Sequence, residues 1–131
     1  MIRLVANLVK FVDVKYNKIN NSDIAFFGSV VGTKNVTIDN DDLNEYSHDE
    51  TEDLSFLPEI VVKPFRTSEV SAILKYCNNR LIPVTVSGGK TGLSGGCIPL
   101  HKGVALSMSR FNKIIEIDTK NLQATVEPGV I

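Results

Sequence analysis

Residues 87 to 96 read Ser-Gly-Gly-Lys-Thr-Gly-Leu-Ser-Gly-Gly and hold five of the nine glycines of this 131-residue chain. Glycine at this density lets the backbone adopt positive φ and lets a ligand approach the peptide groups without meeting a Cβ atom. Successive N–H groups can then converge on an anion, and the hydroxyls of Ser87, Thr91 and Ser94 add donors. A phosphate or pyrophosphate is the natural ligand; a plain surface turn is the alternative, because glycine-rich connectors are common.

Two familiar nucleotide-binding loops do not match this stretch. A Walker loop ending at Gly89-Lys90-Thr91 would need a glycine at position 84, where the chain has Val84. A G-x-G-x-x-G fingerprint needs two glycines separated by one residue, a spacing that the loop lacks. A phosphate-loop hydrolase therefore remains only as an alternative that predicts Mg-dependent ATP binding.

The loop follows a predicted strand, helix, strand unit. Glu59–Lys63 is a β-branched run that Pro64 ends, and Pro83 opens the second strand, Val84–Val86. Thr67 is the expected helix cap, and apolar residues follow it at helical spacing: Val70, Ile73, Leu74, Cys77 and Leu81. The pattern predicts a right-handed parallel crossover.

The remaining sequence predicts further strands and two helices. Strands are expected at Val104–Met108, Ile114–Ile117 and Leu122–Val126, with a hairpin turn over residues 118–121. Near the N-terminus, Ser22 is expected to cap a helix over Asp23–Val31 that Gly32 ends. The chain stops at Ile131 without a polar tail, which suggests a fragment.

An acidic stretch lies between the predicted N-terminal helix and the strand, helix, strand unit. Residues 39–53 carry eight acidic and no basic side chains. Such a composition predicts a solvated connector with one short helix near residues 41–46, and a partner-binding acidic patch is the alternative.

The overall composition excludes several classes of function. The 14 Lys and Arg residues against 15 Asp and Glu residues leave a net charge of -1, which argues against a general nucleic-acid binder. No apolar run approaches the roughly 20 residues of a membrane-spanning helix. The run Met1–Phe11 is interrupted by Asn7 and lacks a small-residue cleavage site, so the expected location is cytoplasmic.

The cysteines and histidines do not indicate a catalytic or metal site. Cys77 and Cys97 have no His or Cys neighbour at zinc-ligand spacing, so free structural thiols are expected. His48 and His101 both lie in polar connectors and are expected to be solvated. No catalytic residue and no metal ligand is assigned.

Several ordered motifs resemble the first half of the FAD-binding domain of the FAD-linked oxidases. These are vanillyl-alcohol-oxidase-like flavoproteins with a PCMH-type domain. The motifs are the strand 60–63, the helix after Thr67, the stretch Ile82–Gly96 and Ala124-Thr-Val-Glu-Pro-Gly129. Residues 46–53 and 106–114 resemble the branch of the glycolate oxidase FAD subunit and D-lactate dehydrogenase in particular.

The resemblance implies an α+β fold, namely a PCMH-type FAD-binding domain represented by its first βαβ subdomain plus the start of the second mixed sheet. Residues 1–57 would be an N-terminal helical lead-in and acidic connector. Residues 58–131 would be the N-terminal, truncated part of the FAD-binding domain.

The resemblance also implies where FAD is held. The loop amides would bind its pyrophosphate non-covalently, since Lys90 stands where some relatives have a histidine that tethers the flavin. Lys90 would add charge to the phosphate site or point to solvent. Pro64 and the Pro128-Gly129-Val130 segment would approach the cofactor, although simple strand termination explains both prolines as well. The implied cofactor-binding residues are Pro64, Ser87, Gly88, Gly89, Lys90, Thr91, Gly92, Ser94, Gly95, Gly129 and Val130.

The implied activity is that of an FAD-dependent 2-hydroxy-acid oxidase or dehydrogenase. FAD would accept a hydride from a D-2-hydroxy acid such as glycolate or D-lactate and pass electrons to an acceptor protein or an iron–sulfur subunit. In relatives the substrate-binding side chains and the catalytic histidine lie later in the chain, so this fragment alone is expected to be inactive. The alternative is a stand-alone FAD or nucleotide-binding module without turnover.

Overall fold

The computed structural model describes residues 15–51 and 54–131. It has three α-helices, α1 (Asn21–Val31), α2 (Asn40–Glu45) and α3 (Thr67–Arg80). The six strands are β1 (Val36–Thr37), β2 (Ile60–Val62), β3 (Val84–Ser87), β4 (Val104–Ser107), β5 (Ile114–Asp118) and β6 (Gln123–Val126). The predicted run Met1–Phe11 lies outside the described residues.

A four-stranded mixed sheet has the order β1-β2-β4-β3. Strands β2 and β3 are both parallel to β4, whereas β1 is antiparallel to β2. The predicted parallel crossover and the α+β fold class are therefore confirmed. The insertion of β4 between β2 and β3 was not predicted. The burial of the strands agrees with this order: all four residues of the central strand β4 are buried, whereas β3 forms an edge and is partly exposed.

Each face of this sheet is covered by helices. Helices α1 and α3 cover one face, where Phe27 and Ile73 pack with Ile60 and Leu106. Helix α2 covers the other face through Leu43 and Tyr46, which pack with Val61 and Ala105. Alternate residues of β2 and β4 thus serve opposite faces, as the two-residue period of a strand requires.

Two predicted helix caps are wrong. Asn20, not Ser22, caps α1: its side-chain oxygen accepts from the Asp23 N–H at 3.1 Å while the Asp23 carboxylate accepts from the Asn20 N–H at 2.8 Å. Thr67 is the first residue of α3 rather than its cap. There the Glu69 carboxylate reaches back to accept from the Phe65 N–H at 2.8 Å.

The predicted apolar face of α3 is narrower than its spacing suggests. Ile73 and Cys77 are buried, but Leu74 is 43% and Leu81 is 54% exposed. Leu81 is the C-cap of the helix and has a left-handed φ of 52°. Its side chain therefore leaves the direction that helical periodicity predicts.

Strands β5 and β6 form a separate antiparallel hairpin, as predicted. The Asp118 carboxylate closes the turn by accepting from the backbone N–H groups of Lys120 at 3.0 Å and Asn121 at 3.1 Å. Nearly every residue of both strands is exposed. The hairpin stands where the start of the second sheet was predicted.

Within the part of the chain described, no helix has the length and apolar character needed to cross a membrane. The division of the chain into a lead-in, residues 1–57, and an FAD-binding domain, residues 58–131, stays a prediction.

Candidate functional site

The glycine-rich loop, residues 88–96, leaves the carboxyl end of β3. Strands β2, β4 and β3 are parallel, so their carboxyl ends lie at one edge of the sheet, marked by Pro64, Ser107 and Ser87. Ligands of open parallel sheets bind beyond this edge, at the loops that follow the strands. The loop is therefore in the expected position for a binding site.

The backbone amides of this loop are largely free. Among residues 15–51 and 54–131, no acceptor receives a hydrogen bond from the N–H group of any residue from Gly88 to Ser94. The run ends at Gly95, whose N–H donates to Thr51 Oγ1 at 2.8 Å. Seven successive donors without an intramolecular acceptor are what a backbone anion site requires.

A buried hydroxyl lies at the base of the loop. Ser87 is 1% exposed, and its Oγ atom has no hydrogen-bond partner in the described part of the chain. By contrast, Ser107 on the adjacent strand shares a 3.0 Å hydrogen bond with the Tyr46 hydroxyl and donates to Ser109 Oγ at 3.0 Å. A buried hydroxyl without a partner is costly, so Ser87 indicates that a polar group belongs here.

The segment after β6 crosses the loop. A Cβ atom on Gly88 would lie 2.7 Å from the carbonyl oxygen of Pro128, and one on Gly89 would lie 3.2 Å from Cγ1 of Ile131. Gly129 is tied down by its N–H group, which donates to the Phe111 carbonyl at 2.8 Å. The loop and residues 128–131 therefore form one continuous surface.

Lys90 contacts a neighbouring helix, and its part in the phosphate site stays a prediction. It has a left-handed φ of 59°, and its Nζ atom donates to the carbonyl oxygen of Glu45 at 2.7 Å. The ammonium group also lies 4.7 Å from the ring centroid of Tyr46. Lys90 thus connects the loop to the C-terminal end of α2, where a cation is favourable to the helix dipole.

The other predicted residues are distributed around the same edge. Pro64 is fully buried at the end of β2, and Val130 donates its N–H to the Glu127 carbonyl at 3.1 Å. Thr91 and Ser94 are exposed on the loop, and the carbonyl of Gly92 accepts from the Glu50 N–H at 3.1 Å.

Sequence reasoning did not assign the segment 45–51 to the site, although this segment contacts the loop. Asp49 is buried; Oδ1 accepts from the Thr51 N–H at 2.8 Å, and Oδ2 lies 3.6 Å from the Cys97 sulfur. Hydrogen bonds from Thr51 hold the pKa of Asp49 below its usual value. In the sequence, this segment was marked only by the Tyr46-Ser-His-Asp49 motif. A motif of neighbouring residues does not predict a contact with a loop about 40 residues away.

The cysteines are free thiols and the histidines are exposed, as predicted. Both cysteines are free, and burial raises the pKa of Cys77 to about 11. His48 and His101 are exposed, and the His101 ring lies 5.1 Å from that of Tyr16. The described residues hold no group of three His, Cys, Asp or Glu side chains that could bind a metal ion.

These donors fit the pyrophosphate of a dinucleotide cofactor. Within residues 15–51 and 54–131, the amides from Gly88 to Ser94 are neutral donors without acceptors, and the Ser87 hydroxyl, also unpaired there, lies directly before them. Charge-assisted hydrogen bonds to phosphate oxygens would satisfy both.

Comparison with known proteins decides the family. A profile of the family described as "FAD binding domain" matches residues 58–131, more than half of the chain. The chain belongs to this family. Its cofactor is FAD, and the resemblance drawn from the motifs is confirmed.

Individual relatives of the FAD-binding domain agree with this assignment. The chain is 42% identical over 86 residues to glycolate oxidase subunit GlcD of Bacillus subtilis (strain 168), covering 66% of this chain and 18% of that protein. It is 36% identical over 121 residues to D-lactate dehydrogenase of Anaerostipes hadrus, covering 91% and 25%. The chain thus spans about a fifth to a quarter of the length of these curated relatives.

Solved structures support the same fold. The p-cresol methylhydroxylase structure with substrate bound matches with a TM-score of 0.70 and 30% identity, covering 84% of this chain and 22% of that one. Alkyldihydroxyacetonephosphate synthase matches with a TM-score of 0.72 at 15% identity, covering 94% and 25%, which shows the fold alone.

Proposed function

We propose that this chain is the FAD-binding part of a flavin-dependent oxidoreductase that acts on D-2-hydroxy acids of the glycolate or D-lactate type. The named relatives support this substrate class, since they are glycolate oxidase subunits and D-lactate dehydrogenases. When bound, FAD supplies the chemistry of hydride acceptance, and the protein supplies binding and orientation.

The observation that carries the proposal is the run of seven free amides from Gly88 to Ser94 beside the unpaired Ser87 hydroxyl. In this proposal the amides hold the FAD pyrophosphate, and Ser87 Oγ supplies a further donor. Lys90 acts indirectly by fixing the loop against α2. Binding at the loop is non-covalent in this proposal, because Lys90 stands at the position where some relatives tether the flavin through a histidine.

The remaining site assignments extend outward from this run. Pro64 shapes the end of β2 beside the cofactor, and Gly129 with Val130 borders the loop from the other side. The full proposed set is Pro64, Ser87, Gly88, Gly89, Lys90, Thr91, Gly92, Ser94, Gly95, Gly129 and Val130. Gly95 contributes through its backbone conformation, since its N–H is already used by Thr51.

The partners and location belong to the same proposal. A small 2-hydroxy acid is the substrate, and an acceptor protein or an iron–sulfur subunit takes the electrons. The cytoplasm is the proposed compartment. Residues 1–57 form a lead-in to the FAD-binding domain, which occupies residues 58–131, and no catalytic residue is assigned within the chain.

An FAD titration tests the site. Replacing Thr91 with Asp puts a negative charge among the free amides. We expect the affinity for FAD, measured by the quenching of flavin fluorescence, to fall about tenfold or more, which corresponds to about 1.4 kcal/mol of binding free energy. Thr119→Asp is the matched control, because Thr119 is equally exposed but lies in the β5–β6 turn. Circular dichroism establishes that each variant is folded.

Three outcomes would contradict parts of the proposal. A folded wild-type protein that leaves flavin fluorescence unchanged does not hold FAD in this way. Equal binding by T91D and T119D places the pyrophosphate away from the loop. Tight FAD binding without flavin reduction by glycolate or D-lactate, in the full-length protein, favours a binding module without turnover.

A further inference from the structure

The glycine-rich loop is attached to the rest of the protein by contacts that do not involve the N–H groups of Gly88 to Ser94. A run of seven unpaired N–H groups gains nothing from its own hydrogen bonding, so other contacts must fix its shape. A loop that is ordered before a ligand arrives loses less conformational entropy on binding. The groups that order this loop therefore contribute to affinity without touching the ligand.

Those groups come from the segment 45–51. Glu45 offers its carbonyl oxygen to Lys90 Nζ at 2.7 Å, and Glu50 donates its N–H to the carbonyl oxygen of Gly92 at 3.1 Å. Thr51 Oγ1 accepts from the Gly95 N–H at 2.8 Å. These contacts use a side chain, a carbonyl and the first amide beyond the run, and they leave the amides from Gly88 to Ser94 available.

Asp49 contacts both Thr51 and the residue that follows the loop, Cys97. One carboxylate oxygen accepts from the Thr51 N–H at 2.8 Å and fixes the turn that presents Thr51 Oγ1. The other oxygen accepts from the Cys97 thiol at 3.6 Å, at the far end of the loop. The carboxylate is buried, so it is shielded from competition by water.

We propose that Thr51 and Asp49 are positioning residues that set the affinity for the FAD pyrophosphate by fixing the glycine-rich loop through Gly95 and Cys97. The inference rests on the proposed function of the loop. Thr51 fixes the backbone where the amide run ends, and Asp49 orients Thr51. Neither residue contacts the cofactor.

The test compares substitutions at Thr51 in the purified protein. Thr51→Val keeps the side-chain shape but removes the acceptor, and we expect FAD binding measured by flavin fluorescence to weaken about fivefold. Hydrogen exchange of the Glu50 and Gly95 N–H groups, the two hydrogen-bonded amides of this contact, should accelerate in the FAD-free protein. Thr51→Ser keeps the acceptor and should restore both readouts.

Thr37→Val is the matched control. Thr37 is also half-buried, and its Oγ1 accepts from the Asp39 N–H at 3.1 Å, so the variant also removes a threonine acceptor of a backbone N–H, here in a local turn far along the sheet from the loop. It should leave FAD binding and loop exchange unchanged. A general loss of stability would affect T37V and T51V alike, whereas a positioning role affects T51V alone.

The outcomes separate the two proposals. If the wild-type protein binds FAD and T51V binds it equally well, the positioning role is overturned and the FAD site stands. If the folded wild-type protein does not bind FAD, both proposals fall. Should T51V not fold, Asp49→Ala decides: it removes both acceptor oxygens, and unchanged FAD affinity together with unchanged exchange at Glu50 and Gly95 would overturn the inference.

Discussion

At the scale of single residues, two glycines determine how closely main chains approach each other around the site. Gly88 lies against the Pro128 carbonyl, and Gly129 lies against the carbonyl oxygens of Met108 and Phe111. Neither has a positive φ, so the requirement at both positions is space rather than backbone conformation. By contrast, a Cβ atom on Gly96 would meet nothing within 4 Å.

We expect Gly129→Ala to destabilise the protein by about 2 kcal/mol, because its Cβ atom would lie 2.7 Å from the Phe111 carbonyl oxygen and even nearer that of Met108. Backbone atoms cannot move aside as a side chain can. Chemical denaturation measures the loss. Gly96→Ala should stay within about 0.5 kcal/mol of wild type, and equal stability of the two variants would show that the crossing is not tightly packed.

At the scale of elements, a buried carboxylate joins α1 to α3. Asp23 on α1 is fully buried and accepts from Tyr76 Oη at 2.8 Å and Arg80 Nε at 3.0 Å, both on α3. It also accepts from the Asn20 N–H within the capping box. The same two helices also meet where the rings of Phe26 on α1 and Tyr76 on α3 stack, with their centroids 3.8 Å apart. One residue thus caps one helix and anchors it to another.

The electrostatics of Asp23 give the sign of its pH dependence. Burial by itself would raise the Asp23 pKa, but the hydrogen bonds from Arg80 and Tyr76 outweigh it and hold the pKa below the usual value. A folded-state pKa below the unfolded one means that the stabilisation is complete above the unfolded pKa of about 3.9 and is lost as the pH falls through the folded pKa.

We expect Asp23→Asn to lower the free energy of unfolding near pH 7 by about 2 kcal/mol, because the charge-assisted bonds are lost. The variant should also lose that part of the wild-type decline in stability below about pH 4 that Asp23 causes. Urea denaturation across pH 3 to 7 measures both effects. Asp41→Asn, on the exposed side of α2, is the control and should retain the wild-type profile; a parallel profile for D23N would disprove the assignment.

At the scale of the whole molecule, the two sheets differ sharply in burial. The four-stranded sheet is covered on both faces by helices. The hairpin carries Ile114, Ile115 and Ile117, which are 59%, 64% and 65% exposed, and Leu122, which is 91% exposed. Apolar side chains exposed along a two-stranded sheet with open edges favour association.

We expect a protein consisting of residues 1–131 to self-associate through this hairpin, and Ile117→Lys to shift it towards monomer because a charge resists burial at the contact. Light scattering after size-exclusion chromatography measures the change over a range of concentrations. Glu116→Gln changes the net charge by the same +1 on the neighbouring residue and keeps the apolar side chains. If E116Q shifts the equilibrium as much as I117K, net charge rather than the apolar surface controls association.

The sequence by itself predicted every described α-helix and strand except β1, and it indicated the glycine-rich loop as the candidate site. The β-branched runs, the helical spacing after Thr67 and the polar turn at 118–121 are local patterns, and each produced its predicted element. The density of glycine after β3 indicated the loop that is proposed to bind an anion, because freedom at φ and the absence of Cβ atoms are properties of the residues themselves.

Tertiary structure alone decided how these parts meet. The insertion of β4 between β2 and β3, the attachment of Lys90 to Glu45 and the contact of Thr51 with Gly95 join residues far apart in sequence. Local propensity does not describe such pairs, because the partners lie 20 or more residues apart and their energies exist only after the chain has closed the loop between them. Residues proposed to bind through a backbone pattern are therefore visible in the sequence, whereas residues proposed to hold this pattern in place become visible only in the folded chain.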